Sequence, residues 1–143
     1  MKNVITFALL TAILLAGFSA CHKSSGTTYF VKTTINGMPY SASNCVASLV
    51  SDTVLGISCG NANVYPHIFL YISDYTGAGT YPLSSSLNGN FGSVDSSLSV
   101  MSVTSASGTI TITKTSPAIT GTFSFIGTDS IVVSNGKFTA QLP

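Results

Sequence analysis

The sequence has little charge and contains no arginine, glutamate or tryptophan. Its 143 residues include five lysines and four aspartates, so that 6% of the chain is charged, whereas an average soluble domain carries about 25%. A formal net charge of +1 gives no electrostatic attraction for a polyanion. Only His22 and His67 supply imidazole groups. These absences exclude nucleic acid as a partner, and they predict a protein with no metal and no cofactor.

Hydroxyl groups supply the polarity that charges do not. The chain contains 23 serines and 18 threonines, which form hydrogen bonds but rarely titrate. The four aspartates, Asp52, Asp74, Asp95 and Asp129, lie beside Gly, Ser, Thr or Tyr in expected loops, where aspartate bonds to its own backbone. We therefore predict no catalytic residues and no enzymatic activity. A hydrolase that uses Ser, His and Asp remains the alternative.

The first twenty residues have the order of a secretory signal. Lys2 precedes a mainly apolar segment at residues 4–15, and small residues lead to Cys21, which is the pattern of a cleaved signal peptide. The apolar segment is shorter than the roughly 20 residues that a transmembrane helix needs. Residues 1–20 are thus predicted to be a helical signal peptide.

Residues 15–21, Leu-Ala-Gly-Phe-Ser-Ala-Cys, resemble a bacterial lipobox, although Phe18 and Ser19 separate its best-matching part from the cysteine. The resemblance implies that Cys21 is lipidated and that residues 21–28 tether the protein to a membrane through this lipid anchor. Residues 22–25 include no acidic side chain, which implies the outer membrane with the domain in the periplasm. An ordinary signal cleaved near Ala20 is the alternative.

Cys45 and Cys59 are placed to pair in a hairpin. Both are seven residues from Asp52, so strands that turn there would bring the cysteines opposite each other, at a distance that a disulfide can bridge. Val50 would then face Val54. An oxidising compartment favours the bond, and a redox or metal pair is the alternative. Alternation places six residues on the core side: Cys45, Ala47, Leu49, Leu55, Ile57 and Cys59.

The remaining sequence has strand periodicity and no helical periodicity. Asn36-Gly37 and Asn135-Gly136 predict two tight hairpins, Pro39 should lie at an edge, and residues 74–96 read as an irregular connection. The alternation of apolar and polar residues shifts by one position between Val100 and Met101, which indicates a bulge.

We predict one all-β domain at residues 29–143, an antiparallel sandwich or small barrel of nine or ten short strands. The expected strands cover residues 29–35, 38–42, 45–50, 54–59, 66–72, 98–104, 109–113, 122–126, 131–133 and 138–142, and residues 80–83 are a short strand-like segment inside the irregular connection.

The chain resembles small bacterial outer-membrane lipoproteins of unknown function in four segments, which are residues 30–42, 108–114, 121–125 and 133–138. The resemblance implies an all-β domain, either a sandwich or calycin-like. Its motifs are hairpin and core residues, so no catalytic residue is carried over.

The segment at residues 66–72 offers a candidate binding face. His67, Phe69 and Tyr71 alternate with aliphatic residues and share one side of a strand. Aromatic rings with polar tips suit protein or glycan partners. A strand that is apolar on both faces is more often covered on both sides, and we therefore expect these rings to be core.

Two function classes result. The first is a lipid-anchored cell-envelope protein that acts as a non-catalytic binding or structural module, and the alternative is a calycin-like carrier that holds a small apolar ligand inside a barrel. Its cavity would be lined by Ile110, Ile112, Phe123 and Phe125.

Asp52-Thr53-Val54 and Asp129-Ser130-Ile131 resemble a short bacterial O-glycosylation sequon. The resemblance implies Thr53 and Ser130 as acceptors, while turn chemistry is the alternative explanation of both triplets.

Overall fold

The computed structural model describes residues 26–61, 63–96 and 103–143. The predicted signal peptide, Cys21 and the slip between Val100 and Met101 lie outside the described residues. Every regular element of the described residues is a strand, which confirms the predicted all-β class. Within this part of the chain there is no helix that could span a membrane.

The ten strands follow the chain in order. They are β1 (Phe30–Ile35), β2 (Met38–Ala42), β3 (Cys45–Ser51), β4 (Val54–Asn61), β5 (Val64–Ile72), β6 (Gly79–Ser84), β7 (Phe91–Asp95), β8 (Val103–Lys114), β9 (Ala118–Gly127) and β10 (Val132–Gln141).

Seven of these strands close into a barrel. The circuit runs β3-β4-β5-β7-β8-β9-β10 and returns to β3, because β9 pairs with both β8 and β10. The closing contact between β10 and β3 is parallel and joins Gln141 to Val46, whereas the other pairs are antiparallel. Strands β1 and β2 extend from β10, and β6 extends from β8. Of the two predicted architectures, the chain forms the small barrel.

The core cluster takes buried side chains from all seven barrel strands and also from β1, β2 and β6. In β8 and β9 the alternation is regular, since Ile110 and Phe123 are buried while Thr109, Thr122 and Ser124 are exposed. The single core cluster includes Ala47, Leu55, Ile57, Ile68, Leu70, Ile72, Val94, Ile110, Ile112, Ile119, Phe123, Phe125, Val133, Phe138 and Ala140.

The cysteine hairpin has the predicted register over most of its length. Cys45 faces Cys59 and Leu49 faces Leu55, and the Cα atoms of the cysteines are 4.2 Å apart at a disulfide. Two details were wrong. A register shift places Ser51, rather than Val50, opposite Val54. Leu49 is 53% exposed, because the hairpin extends beyond the end of the core.

The predicted hairpin at Asn36-Gly37 is confirmed. Asn36 and Gly37 have φ angles of 49° and 80°, as a type I′ turn requires, and β2 with Pro39 forms an edge. This hairpin lies against the end of the barrel where β4 turns into β5, because the Tyr40 hydroxyl donates a hydrogen bond to the Pro66 carbonyl and the Ser43 N–H donates to Asn61 Oδ1 at 3.2 Å.

The predicted hairpin at Asn135-Gly136 was wrong, since β10 runs without interruption from Val132 to Gln141. Asn135 has a φ of 55°, and the pairing with β9 shifts between Val133 and Gly136. The dipeptide therefore forms a bulge inside a strand. The ten-residue β9 pairs along the whole of β10, so a turn there would have cost most of that pairing.

The prediction of an irregular connection at residues 74–96 was wrong at its end. Phe91–Asp95 forms β7, which lies between β5 and β8. Gly92 and Ser93 have weak strand preferences, and the strand is only five residues long, so the sequence pattern did not reveal it.

Candidate binding groove on the outer face

The outer face of β5 carries the three residues of the predicted binding face. Ile68, Leu70 and Ile72 are fully buried in the barrel, whereas His67, Phe69 and Tyr71 are half-buried on the other side. The expectation that these rings belong to the core was wrong. A barrel consists of one curved sheet, and among the described residues no second sheet packs on the outside of this strand as it would in a sandwich.

Strand β7 extends this aromatic surface. Phe91 lies opposite Tyr71, and the two rings stack with centroids 5.0 Å apart and planes 22° apart. The Phe69 centroid is 5.9 Å from that of Phe91. On the other side, the Phe69 ring would lie 3.6 Å from a Cβ atom at Gly56. That distance is an ordinary van der Waals contact, so the ring lies directly beside β4.

The segment between β6 and β7 forms one wall of a groove beside these rings. A hydrogen bond from the Ser84 N–H to the Asn90 carbonyl closes this segment, and Leu87 within it is 65% exposed. The groove has a volume of about 590 Å³, in the range of small-molecule sites. Its lining consists of Phe69, Ser85, Leu87, Phe91, Ser93, Asp95 and Thr104.

Asp95 is the charged residue of the groove. Its Oδ1 atom is buried and has no hydrogen-bond partner among the described residues. His67 lies directly opposite Asp95 in the β5–β7 pair, but its Nε2 atom is 3.0 Å from the Asn61 carbonyl oxygen. The His67 ring also stacks on Tyr65, with centroids 4.7 Å apart. The His67 imidazole therefore contacts Asn61 and Tyr65, and these contacts do not involve the Asp95 carboxylate.

The segment Gly56-Ile57-Ser58-Cys59-Gly60 has the spacing of a hydrolase nucleophile elbow, a motif that the sequence-based prediction of no enzymatic activity overlooked. Such an elbow places its serine on a sharp turn between a strand and a helix, whereas Ser58 lies inside β4 opposite Phe69. The nearby His67 is bound to the Asn61 carbonyl. The described contacts therefore do not join Ser58, His67 and Asp95 into a catalytic relay.

The side chains expected to line a carrier cavity fill the barrel instead. Ile110, Ile112, Phe123 and Phe125 are each at most 4% exposed and belong to the core cluster. The Phe123 centroid lies 6.4 Å from that of Phe125 and 6.2 Å from that of Phe138. The interior of the barrel is a packed core at these positions.

The remaining candidate residues lie apart from the groove. Thr53 lies in the turn between β3 and β4, Ser130 follows the turn after β9, and both residues are exposed. The Asp129 Oδ1 atom accepts a hydrogen bond from the Ile131 N–H at 3.1 Å, as turn chemistry predicts. Within residues 26–61, 63–96 and 103–143, no three His, Cys, Asp or Glu side chains are grouped as a metal site requires.

Sequence reasoning identified one of the seven groove residues as part of a binding face and missed the others. Phe69 was named as part of a binding face, but Leu87, Phe91 and Asp95 were assigned to an irregular connection. The alternation of Phe91, Ser93 and Asp95 with Gly92 and Val94 was a weak signal for β7 that could have placed these three on one face.

Comparison with known proteins identifies a domain and no function. Residues 27–141 match the model of a family described as a domain of unknown function, DUF6252. No curated protein and no solved structure matches the chain.

Proposed function

The chain belongs to the DUF6252 family, and we propose that it is a lipid-anchored, non-catalytic binding module of the bacterial cell envelope. The observation that carries the binding role is the groove on β5 and β7, where Phe69 and Phe91 line a space of about 590 Å³. Aromatic side chains that remain half-exposed on a barrel with a complete core have no structural need to be there.

The composition of the groove defines what it can hold. Phe69, Phe91 and Leu87 offer apolar contact, while Ser85 and Thr104 offer hydroxyl groups. This combination is typical of small-ligand sites, in which a few polar groups orient a mainly apolar contact. The partner classes consistent with it are a small apolar ligand, a glycan and a segment of another protein.

The carrier role is the weaker of the two binding roles. The observation that supports this role is the closed barrel, which is the architecture that calycin-like carriers use. Its ligand would have to displace Phe123 or Phe125, which are at most 4% exposed within the core. The groove requires no such displacement, because its space already exists.

The proposed anchor rests on the sequence around Cys21. Two acyl chains on this cysteine would hold the domain stably at a membrane, and the short segment before β1 would set its reach. An outer-membrane location with the domain in the periplasm follows from the absence of an acidic residue at positions 22–25.

The anchor is tested by intact mass spectrometry of protein from the membrane fraction. We expect a chain that begins at Cys21 with the added mass of its acyl groups, and a Cys21→Ser variant that leaves this fraction. An unmodified chain beginning at Cys21 would exclude lipidation.

The same mass spectrum tests O-glycosylation. Sugars on Thr53 or Ser130 would add a further mass, which the Thr53→Ala or Ser130→Ala substitution would remove.

The groove is tested by ligand-detected NMR with separate mixtures of neutral oligosaccharides, short peptides and small aromatic compounds. We expect at least one mixture to bind, and Phe91→Ala to abolish that binding. Phe30→Ala, on β1 away from the groove, is the matched control. If all mixtures fail to bind, or if both variants bind equally, the groove is not the site.

A further inference from the structure

Strand β3 has one edge that is unpaired over most of its length among the described residues. On one side β3 pairs with β4 from Cys45 to Ser51. On the other side the ladder with β10 joins only Val46 to Gln141. In the described part of the chain, the backbone N–H and C=O groups that point to this side from Ala47 to Ser51 therefore have no partner strand. We call these five residues the free edge.

The side chains of the free edge are apolar or small, and none is charged. Leu49 is 53% exposed and Val50 is 73% exposed, and Ser48 and Ser51 are exposed as well. Natural edge strands are commonly protected from association by lysine, proline or a bulge. Strand β3 contains neither lysine nor proline, and its one register shift lies at its end, between Leu49 and Ser51. Such an edge is a template for one more strand.

The free edge is complementary to itself. Its midpoint is Leu49, so two copies that pair antiparallel along all five residues have a two-fold axis there. Leu49 of one copy then lies directly opposite Leu49 of the other, and each side chain covers its counterpart. The pairing ends at Val46, which already pairs with β10, and which would meet Asp52 in the turn of the other copy. No two charged residues face each other, so no like-charge repulsion opposes the contact.

We infer that this chain forms a two-fold homodimer in which the β3 edges of two copies pair antiparallel about Leu49. The inference goes beyond the proposed function, because none of the groove-lining residues belongs to β3. A second copy suits the edge because every copy brings the same uncharged strand. A two-fold contact uses both free edges at once and closes the assembly.

Disulfide trapping tests the pairing on the purified full chain, as isolated from cells, in dodecyl maltoside. Leu49→Cys places two thiols opposite each other at the axis, where Cα atoms about 4.5–5.5 Å apart can be bridged. After mild oxidation we expect a covalent dimer as the main species on a non-reducing gel, while the parent chain gives the background. Ile126→Cys is the matched control, because Ile126 is 49% exposed on β9, and it should stay at the background.

Two further variants test the direction of the pairing. In the antiparallel arrangement Ser48 lies opposite Val50 of the second copy, so Ser48→Cys and Val50→Cys should form a dimer when they are mixed. Neither should do so alone, since its two copies are diagonal neighbours about 7–8 Å apart, beyond the reach of a disulfide. Parallel pairing would instead trap each single variant, and this result would overturn the antiparallel dimer.

A charge at the axis should dissociate the dimer. Leu49→Lys places two ammonium groups against each other, and we expect sedimentation velocity to show a shift from dimer to monomer. Ile126→Lys, which adds the same charge to β9, should sediment as the parent does. Circular dichroism confirms that both variants are folded, which the exposure of both positions favours.

The outcomes are independent of the groove. A Leu49→Cys chain that is trapped no more than Ile126→Cys would overturn the homodimer, and this is also the result expected if a strand of another protein occupies the edge. A Leu49→Lys chain that sediments as the parent does would overturn it as well. Neither result changes the binding of ligands to the groove, which the NMR mixtures test separately.

Discussion

At the scale of single residues, Ser105 lies where β8 stops pairing with β7 and begins to pair with β6, and its side chain bonds to residues of both strands or their ends. Strand β8 pairs with β7 at Thr104 and with β6 from Ser107 onward. Between them the fully buried Ser105 hydroxyl accepts from the Gly92 N–H at 3.1 Å and donates to the Ser84 carbonyl at 2.9 Å. One side chain therefore bonds to two backbone groups, the Gly92 N–H and the Ser84 carbonyl, at the point where β8 separates from β7.

We expect Ser105→Ala to lower the free energy of unfolding by about 1–3 kcal/mol, because it leaves the Gly92 N–H unpaired in the interior and removes the partner of the part-buried Ser84 carbonyl. Urea denaturation followed by circular dichroism measures the change. Ser124→Ala, on the exposed face of β9, is the control and should stay within about 0.5 kcal/mol of the parent. Equal effects of the two substitutions would contradict this role of Ser105.

At the scale of elements, hairpins and bulges were predicted with unequal success. The β3–β4 hairpin follows from the equal spacing of Cys45 and Cys59 about the turn, and its register agrees over most of its length. The Asn-Gly pair at residues 36–37 forms a turn, whereas the pair at 135–136 forms a bulge. The same dipeptide gives two results because the chain after Gly37 folds back to pair with β1, whereas the chain after Gly136 continues to pair with β9.

The link between Cys45 and Cys59 closes a loop with a sequence separation of 14. Removing it by Cys45→Ala and Cys59→Ala together should lower the free energy of unfolding by about 3 kcal/mol in the chain-entropy model. Urea denaturation with and without a reductant measures the effect. The reductant should destabilise the parent and leave the double variant unchanged. A parent that is insensitive to reductant would show that the link contributes nothing.

Gly136 should not tolerate a side chain, since a Cβ atom there would lie 2.6 Å from the Phe123 carbonyl oxygen and from its ring. We expect Gly136→Ala to cost about 1–3 kcal/mol through overpacking and a displaced β10. Thermal and urea denaturation measure this cost. At Gly26 no atom lies within 4 Å of the added Cβ, so Gly26→Ala should have almost no effect. A neutral Gly136→Ala would contradict the close approach.

At the scale of the whole molecule, the closed barrel determines which faces are buried. Closure turns one face of each barrel strand toward the core, and in the part of the chain that the structure describes the outer face of β5 stays half-buried. The β1–β2 hairpin covers one end, where Tyr40 packs against the core and bonds to the Pro66 carbonyl. Burial raises the pKa of the Tyr40 hydroxyl above its ordinary value of 10.0. The pKa of Tyr75 is raised as well, mainly by burial and to a smaller extent by the charge of the neighbouring Tyr81.

A raised tyrosine pKa means that the folded chain holds the proton more tightly than the unfolded chain. Its contribution to stability is fully present below pH 10.0 and is lost as the pH rises through the folded pKa. We expect the free energy of unfolding to fall above pH 10, and to fall less steeply for Tyr40→Phe. Urea denaturation between pH 8 and 12 measures the slopes, with Tyr29→Phe as the control. Parallel slopes for Tyr40→Phe and the parent would contradict this prediction.

The sequence alone determined the all-β class, the cysteine register and the first hairpin, because alternation and turn chemistry act between residues a few positions apart. It predicted the lipid anchor at Cys21 as well, which stays a prediction. Only the tertiary structure decided that the sheet closes, that Asn135-Gly136 lies within a strand, and that Phe69 and Tyr71 face outward. Whether an aromatic face is covered depends on layers and partner strands that are distant in sequence. That is why the groove with Asp95 emerged only from the folded chain.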